Sequence, residues 1–257
     1  MQLNYKVYGA GEPLIILHGL FGTADNWQTL AKIWAADYTV FALDMRNHGR
    51  SPFSDSHTYN DLTEDLLEFM EQHWIYKTHL LGHSMGGKAA MHFAAQHEDR
   101  LDKLIIADIG TKAYNGGHES VFAALRAIDL TQKPARKTVE AQLATYLTDD
   151  AATRLFLLKN LSRNAESGNL EWKINIPVLW QNYLDIVGNI AIDTPITVPT
   201  LFLRGGNSTY ITDADWLILQ QKFVQARLQT IPDAGHWLHA DNPTAFAAAV
   251  GLFLQKA

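Results

Sequence analysis

Leu80-Leu81-Gly82-His83-Ser84-Met85-Gly86-Gly87-Lys88-Ala89-Ala90 sets a Gly-x-Ser-x-Gly pattern directly after a short apolar run and directly before a run of helix formers. A serine in so sharp a strand-to-helix turn takes strained dihedrals. Glycines two before and two after it let the strand and helix backbones pass without a Cβ clash. The strain exposes the Ser84 hydroxyl, and a helix opening near Met85 turns free N–H groups and the positive end of its dipole toward a developing oxyanion. The bland alternative, a glycine-rich turn holding an ordinary serine, does not account for the strand before it and the helix after it.

Outward from this turn, short β-rich runs alternate with helical stretches. Leu14 to Leu17, Tyr38 to Leu43, His79 to Leu81, Leu104 to Ala107, Thr200 to Leu203 and Arg227 to Ile231 read as strands. Alternating Leu3, Tyr5 and Val7 add an amino-terminal one. Asn26 to Trp34, Asn60 to Trp74, Gly86 to His97, Asp213 to Val224 and Pro243 to Leu254 read as the crossover helices that a parallel sheet requires. The fold class is therefore α/β, with a mostly parallel sheet flanked by helices. The rhythm breaks between Lys112 and Val198, where Val121 to Ile128, Val139 to Leu147, Leu155 to Leu161 and Leu179 to Val187 are amphipathic and no strand is legible. Residues 1–111 and 198–257 are expected to form the core, and 112–197 an all-helical lid inserted in it.

Composition narrows the chemistry. With 47% hydrophobic and 19% charged residues in 257, the chain has the material for a packed core. The absence of cysteine excludes disulfides, thiolate metal sites and every thiol nucleophile. The 21 Lys+Arg against 27 Asp+Glu leave a net charge of -6 with no basic cluster, which argues against a nucleic-acid partner and for a small, mostly uncharged substrate. The first residues carry no charged region followed by an apolar stretch, so a cytoplasmic location is expected. The longest apolar run, Ala245 to Leu254, is too short for a membrane span. No sequence feature sets an oligomeric state.

A serine nucleophile needs a general base. His236 lies in Asp233-Ala234-Gly235-His236-Trp237, between the last strand and the last helix. His83 inside the turn, His18 and His239 have structural alternatives. His236 and His239 lack a carboxylate at a spacing suited to zinc, and no other metal-ligand pattern is present, so no metal is expected.

With its serine turn, His18-Gly19-Leu20-Phe21-Gly22 after the third strand and Asp44-Met45-Arg46-Asn47-His48-Gly49-Arg50-Ser51, the chain resembles the α/β-hydrolase superfamily over almost its whole length. Asn47 stands where that superfamily has a glycine, and asparagine also tolerates positive φ. Four separated segments narrow the resemblance: the Gly82 to Lys88 turn, Ile106-Ala107-Asp108-Ile109, Gly205-Gly206-Asn207-Ser208 and Ala234 to Ala240. Together they resemble the bacterial YbfF-type esterases and the abhydrolase-domain-11 group.

The resemblance implies a serine hydrolase that needs no cofactor, a carboxylesterase with acyl thioesters as a further substrate class. Ser84 is then the nucleophile and His236 the base, and the backbone N–H groups of Met85 and Leu20 form the oxyanion hole, with Phe21 less suited to that role. The superfamily's usual acid position holds Ser208 here. Asp213 and Asp215 follow, but Thr212-x-x-Asp215 reads as a capping box. Asp108 closes an apolar strand, where the Nδ1–H of His236 would compensate its desolvation, and the order Ser84, Asp108, His236 is the fold's order. Asp108 is preferred as the acid, with Asp213 or a dyad as alternatives. Phe21, Trp172, Trp180 and Tyr183 are candidate substrate contacts, although a core role suits each of the last three. An aspartate nucleophile, as in dehalogenases and epoxide hydrolases, is excluded. C–C bond hydrolases, lactonases and a non-catalytic receptor share the fold and stay open.

Overall fold

A computed structural model describes residues 1–255. Positions 256 and 257 of the expected core segment lie outside the described residues. The strands are β1 (Tyr5–Tyr8), β2 (Glu12–Leu17), β3 (Tyr38–Leu43), β4 (Thr78–His83), β5 (Leu101–Ala107), β6 (Leu161–Arg163), β7 (Leu170–Trp172), β8 (Thr200–Gly205) and β9 (Ala226–Ile231). Seven of them form one sheet in the order β1-β3-β2-β4-β5-β8-β9. β1 runs antiparallel to β3, and the other neighbouring pairs are parallel.

The central strands are apolar at nearly every position because both faces of the sheet are covered. In β2, Ile15 and Leu17 enter one core layer while Leu14 and Ile16 enter the other; in β5, Leu104 and Ile106 are separated in the same way from Ile105 and Ala107. The first layer packs against helices Tyr59–Gln72, Met85–His97 and Asp213–Lys222, through residues such as Phe69, Phe93 and Leu219. The second packs against Gln28–Trp34 and Pro243–Gln255, through Trp34 and Phe246. Capping boxes at Thr58 with Asp61 and at Thr212 with Asp215 start two of these helices.

The segment between β5 and β8 adds no strand to the main sheet, but it is not all-helical as expected. Besides helices Glu119–Ala127, Arg136–Tyr146, Ala151–Leu158, Ile176–Gln181 and Tyr183–Val187, it contains the antiparallel hairpin β6–β7. Three residues per strand are too few for a legible alternation. Turn bonds from Asn164 N to Asn169 O and from Gly168 N to Asn164 O close the hairpin, with Gly168 at φ 68°. Buried Lys88, on the helix after Ser84, fastens both ends of the segment: its ammonium donates to the carbonyls of Lys112 (2.8 Å) and Gly188. Asn160 Nδ2 fastens the middle by donating to the Phe21 carbonyl at 2.8 Å.

Phe202, fully buried on β8, meets Phe223 edge-on at 5.1 Å between ring centroids. Phe202→Ala is expected to cost about 3–5 kcal/mol by urea unfolding. Leu217→Ala, at a position 58% exposed on the helix packed above it, should stay within about 0.5 kcal/mol of the parent.

Candidate active site

Ser84 follows β4 directly and holds φ 53° and ψ -120°, well outside the regions an L-residue prefers. The glycines around it are required by close approach of backbones. A Cβ on Gly82 would stand 2.2 Å from the Gly86 carbonyl oxygen, and one on Gly86 would stand 2.4 Å from that of Leu17. Strand and helix therefore cross at contact distance, and the hydroxyl projects from the apex.

Two further strand ends bring their residues to this apex. His236 follows β9 and places Nε2 2.9 Å from Ser84 Oγ and Nδ1 2.8 Å from Asp108 Oδ2. An ionised carboxylate only accepts, so Nδ1 carries the proton and Nε2 is left to accept from the serine hydroxyl. Asp108 follows β5, is completely buried and has φ 51°. Its Oδ1 accepts from the Gly205 N–H at 3.0 Å, and its Oδ2 also accepts from the Ser208 hydroxyl. Ser208, where the resemblance implied an acid, thus supplies a donor to the carboxylate that arrives from the neighbouring strand. Asp213, by contrast, is a largely exposed partner of Arg204 at 2.6 Å, and Asp215 caps its helix and pairs with Lys112 at 2.7 Å.

Neutral histidines brace the loop opposite. That loop, His18 to Gly22, follows the second strand β2 and not the third, because only β1 precedes β2 in the chain. His18 Nε2 accepts from the Met45 N–H at 3.0 Å, so its Nδ1–H donates to the Gly19 carbonyl at 2.8 Å. His48 Nε2 accepts from the Phe21 N–H at 3.2 Å, and its Nδ1–H donates to the Arg46 carbonyl. Burial pushes the pKa of His18 down to about 4 and that of His48 down to about 3, which keeps both rings in the neutral form these bonds need. The Phe21 N–H is therefore already committed. The N–H groups of Leu20 and of Met85, the first residue of its helix, have no acceptor among the described residues. His83 Nε2–H donates to the His236 carbonyl at 2.8 Å and holds the segment that carries His236.

The segment Asp44 to Ser51 has a supporting role. Asp44 accepts from the N–H groups of Ala24 (2.7 Å) and Arg50 (2.9 Å), and Arg46 forms a buried ion pair with Asp65. Asn47 takes φ 64°, the conformation expected of it.

Ser84 and His236 open onto a cleft of about 520 Å³. One wall is the His18 to Gly22 loop with Trp27; the other comes from the inserted segment, through His118, Val121, Leu147 and Phe156 among others. Phe21 lines the cleft. Trp172, Trp180 and Tyr183 do not. Tyr183 is buried against Phe122 and stacks on the half-exposed Trp180, so both support the wall from behind, and Trp172 belongs to the hairpin. Aromatic content alone could not show which side of the segment faces Ser84. Sequence reading does not single out His118, which lies eleven residues past the end of β5.

This arrangement of sheet, turn and cleft defines a class: the chain belongs to the alpha/beta hydrolase fold family, which matches residues 12–243. Among its relatives, Esterase YbfF of Escherichia coli (strain K12) is 36% identical over 260 residues, 99% of each chain. The sn-1-specific diacylglycerol lipase ABHD11 of Danio rerio is 37% identical over 267 residues, covering 99% of this chain and 83% of that protein. A solved structure of a marine microorganism esterase superposes with a TM-score of 0.95 at 43% identity, covering 98% of this chain and 99% of the other. Among the described residues, no helix is long and apolar enough to cross a membrane, and no group of three or more His, Asp or Glu is placed to hold a metal ion.

His18, His48, His57, His83 and His239 are all buried, with pKa values lowered mainly by desolvation. The unfolded chain binds protons at these rings from about pH 6.5 downward while the native state does not, so stability is complete above that pH and falls as the pH drops toward the folded values. Urea midpoints at pH 7, 6 and 5 should decline at each step; a flat series would mean that these rings are not held neutral.

Proposed function

We propose that this chain hydrolyses carboxylic esters through an acyl-enzyme on Ser84. The observation that carries this reading is the continuous relay from Ser84 Oγ through His236 to buried Asp108, with the hydroxyl held on a strained turn at the floor of the cleft. In the first half-reaction Ser84 Oγ bonds to the ester carbonyl carbon as its proton passes to His236 Nε2. The resulting oxyanion accepts from the N–H groups of Leu20 and Met85, each such donor contributing about 2.7–4 kcal/mol. Collapse breaks the bond to the alcohol, which leaves with the proton from His236. Water then attacks the acyl group, gives its proton to the same nitrogen, and the acid departs as Ser84 is restored.

Asp108 is the proposed acid. It fixes the tautomer and stabilises the imidazolium, while Ser208 and the Gly205 N–H hold the carboxylate in place. Residues 112–197 act as a cap whose apolar side chains receive the acyl chain. Acyl thioesters are substrates of the same relay, since the step needs only a carbonyl and a leaving group. The cleft wall carries Lys159 and the two carboxylates Asp150 and Asp241, a net negative charge that disfavours anionic substrates. The names of the matched bacterial esterase and Danio rerio lipase support the ester reading.

A fluorophosphonate probe should label Ser84 and no other residue, and Ser84→Ala should abolish both labelling and hydrolysis of p-nitrophenyl esters. Along an acyl series kcat/KM should climb by up to about fourfold per methylene until the cleft is filled. Absence of labelling together with absence of ester and thioester hydrolysis would overturn the reading. Asp108→Asn is expected to lower kcat by about 10⁴-fold, the size of loss that a wrong imidazole tautomer brings. Asp213→Asn should leave kcat close to the parent value, and the reverse pattern would move the acid to Asp213.

A further inference from the structure

We propose that His118 is a specificity-determining residue whose Nε2–H donates to a second oxygen atom of the substrate, so that oxygen-bearing esters are selected over simple alkyl esters. The inference rests on the ester-hydrolysis reading above and adds a substrate class to it.

His118 stands at the start of helix Glu119–Ala127 and lines the cleft together with Ser84 and Leu20. It also borders a small recess beside Met85 and Tyr210, on the oxyanion side of the serine. Its ring is wedged between two aromatic side chains. Phe21 lies 6.2 Å away and Tyr183 5.8 Å away, both edge-on. The ring therefore has little freedom to turn.

The proton on this ring is assigned by its partner. Tyr183 Oη lies 3.0 Å from the His118 backbone nitrogen and 2.9 Å from its Nδ1. The backbone N–H can only donate, so the phenol oxygen accepts from it. Burial raises the pKa of Tyr183 to about 12, so the phenol keeps its hydrogen at neutral pH. That hydrogen has no acceptor other than Nδ1 among the described residues. Burial also lowers the pKa of His118 to about 4, so the ring is neutral and carries one proton. With Nδ1 accepting from the phenol, that proton sits on Nε2.

Nε2 has no partner within the protein and is not among the buried unpaired atoms, so it is open at the cleft. A fixed N–H donor in the cleft wall penalises a substrate that brings a methylene against it, because the donor then loses water without gaining an acceptor. A substrate that brings an ether, hydroxyl or second carbonyl oxygen restores the bond. The ring does not protonate near neutral pH, so the selection is by hydrogen bonding to an uncharged acceptor and not by ion pairing.

The test uses two isosteric substrate pairs in which one oxygen replaces one methylene. p-Nitrophenyl β-methoxypropanoate against p-nitrophenyl pentanoate probes the acyl side, and methoxyethyl acetate against butyl acetate probes the alcohol side. Intrinsic reactivity cancels when the ratio of kcat/KM within a pair is compared between enzymes. In at least one pair the ratio should favour the oxygen ester by about three- to tenfold more in the wild type than in His118→Phe. His118→Gln, which retains a donor, should recover part of the preference. Tyr183→Phe removes the bond that sets the tautomer and should reduce the preference with the ring still present, a response that loss of packing at His118 would not produce. If His118→Phe fails to fold, Tyr183→Phe carries the comparison. Ratios that are equal in wild type and variants for both pairs, with hydrolysis intact, would overturn the role of His118 alone. A wild type that hydrolyses none of the four esters and takes no fluorophosphonate would overturn the ester reading and this inference with it.

Discussion

The hydrogen bond between His236 Nδ1 and the carboxylate of Asp108 is the contact on which the rest of the site depends. Asp108 has no exposure to solvent, and a carboxylate so placed is tolerated only when donors replace its hydration. Three do so: the imidazole, the Ser208 hydroxyl and the Gly205 N–H. None comes from β5 itself: Gly205 ends β8, Ser208 follows it and His236 follows β9. The pairing therefore requires β5, β8 and β9 to lie side by side in register, and the parallel order of the sheet provides this. With the ring oriented from Nδ1, its other nitrogen meets Ser84 across the adjoining strand end.

Histidine does structural work around this contact by staying neutral. His18 and His48 each accept one backbone N–H and donate to one carbonyl, and together they hold the loop that faces the serine. A charged ring could not accept, so the desolvation that lowers their pKa values and the bonds they make reinforce one another. One consequence is that the Phe21 N–H is consumed while that of Leu20 is left available. The inserted segment is fastened to the same machinery by Lys88 and Asn160 among others. Lys88, four residues past Ser84, holds both of its ends, and Asn160 holds its middle to the Phe21 carbonyl. The cleft wall and the proposed oxyanion loop are thus parts of one hydrogen-bonded unit.

Much of the site was legible along the chain, for a local reason. The turn at Ser84 is written in neighbours, since a Cβ at Gly82 or Gly86 would collide with backbone. The alternation of apolar runs and helices that marks the parallel sheet is equally local. The proposed acid was harder to single out, because three aspartates follow strands within reach of a plausible position. What favoured Asp108 was the apolar run before it together with a serine in the familiar seat. The hairpin β6–β7 escaped because strands of three residues carry no period. Trp172, Trp180 and Tyr183 were credible contacts by residue type, yet an amphipathic segment presents both its faces to periodicity in the same way.

The sequence by itself determined the parallel sheet, the strained serine turn and the identities of the residues that meet there, because each depends on sterics and burial within a few positions. The tertiary structure alone decided which donors surround Asp108, which N–H groups stay free, which wall of the insertion faces Ser84 and which nitrogen of His118 holds a proton. Those features arise where residues far apart in the chain share one hydrogen-bond acceptor or one surface. Spacing along a strand or helix has no access to such choices, whereas a buried polar atom, which must find a partner, settles them.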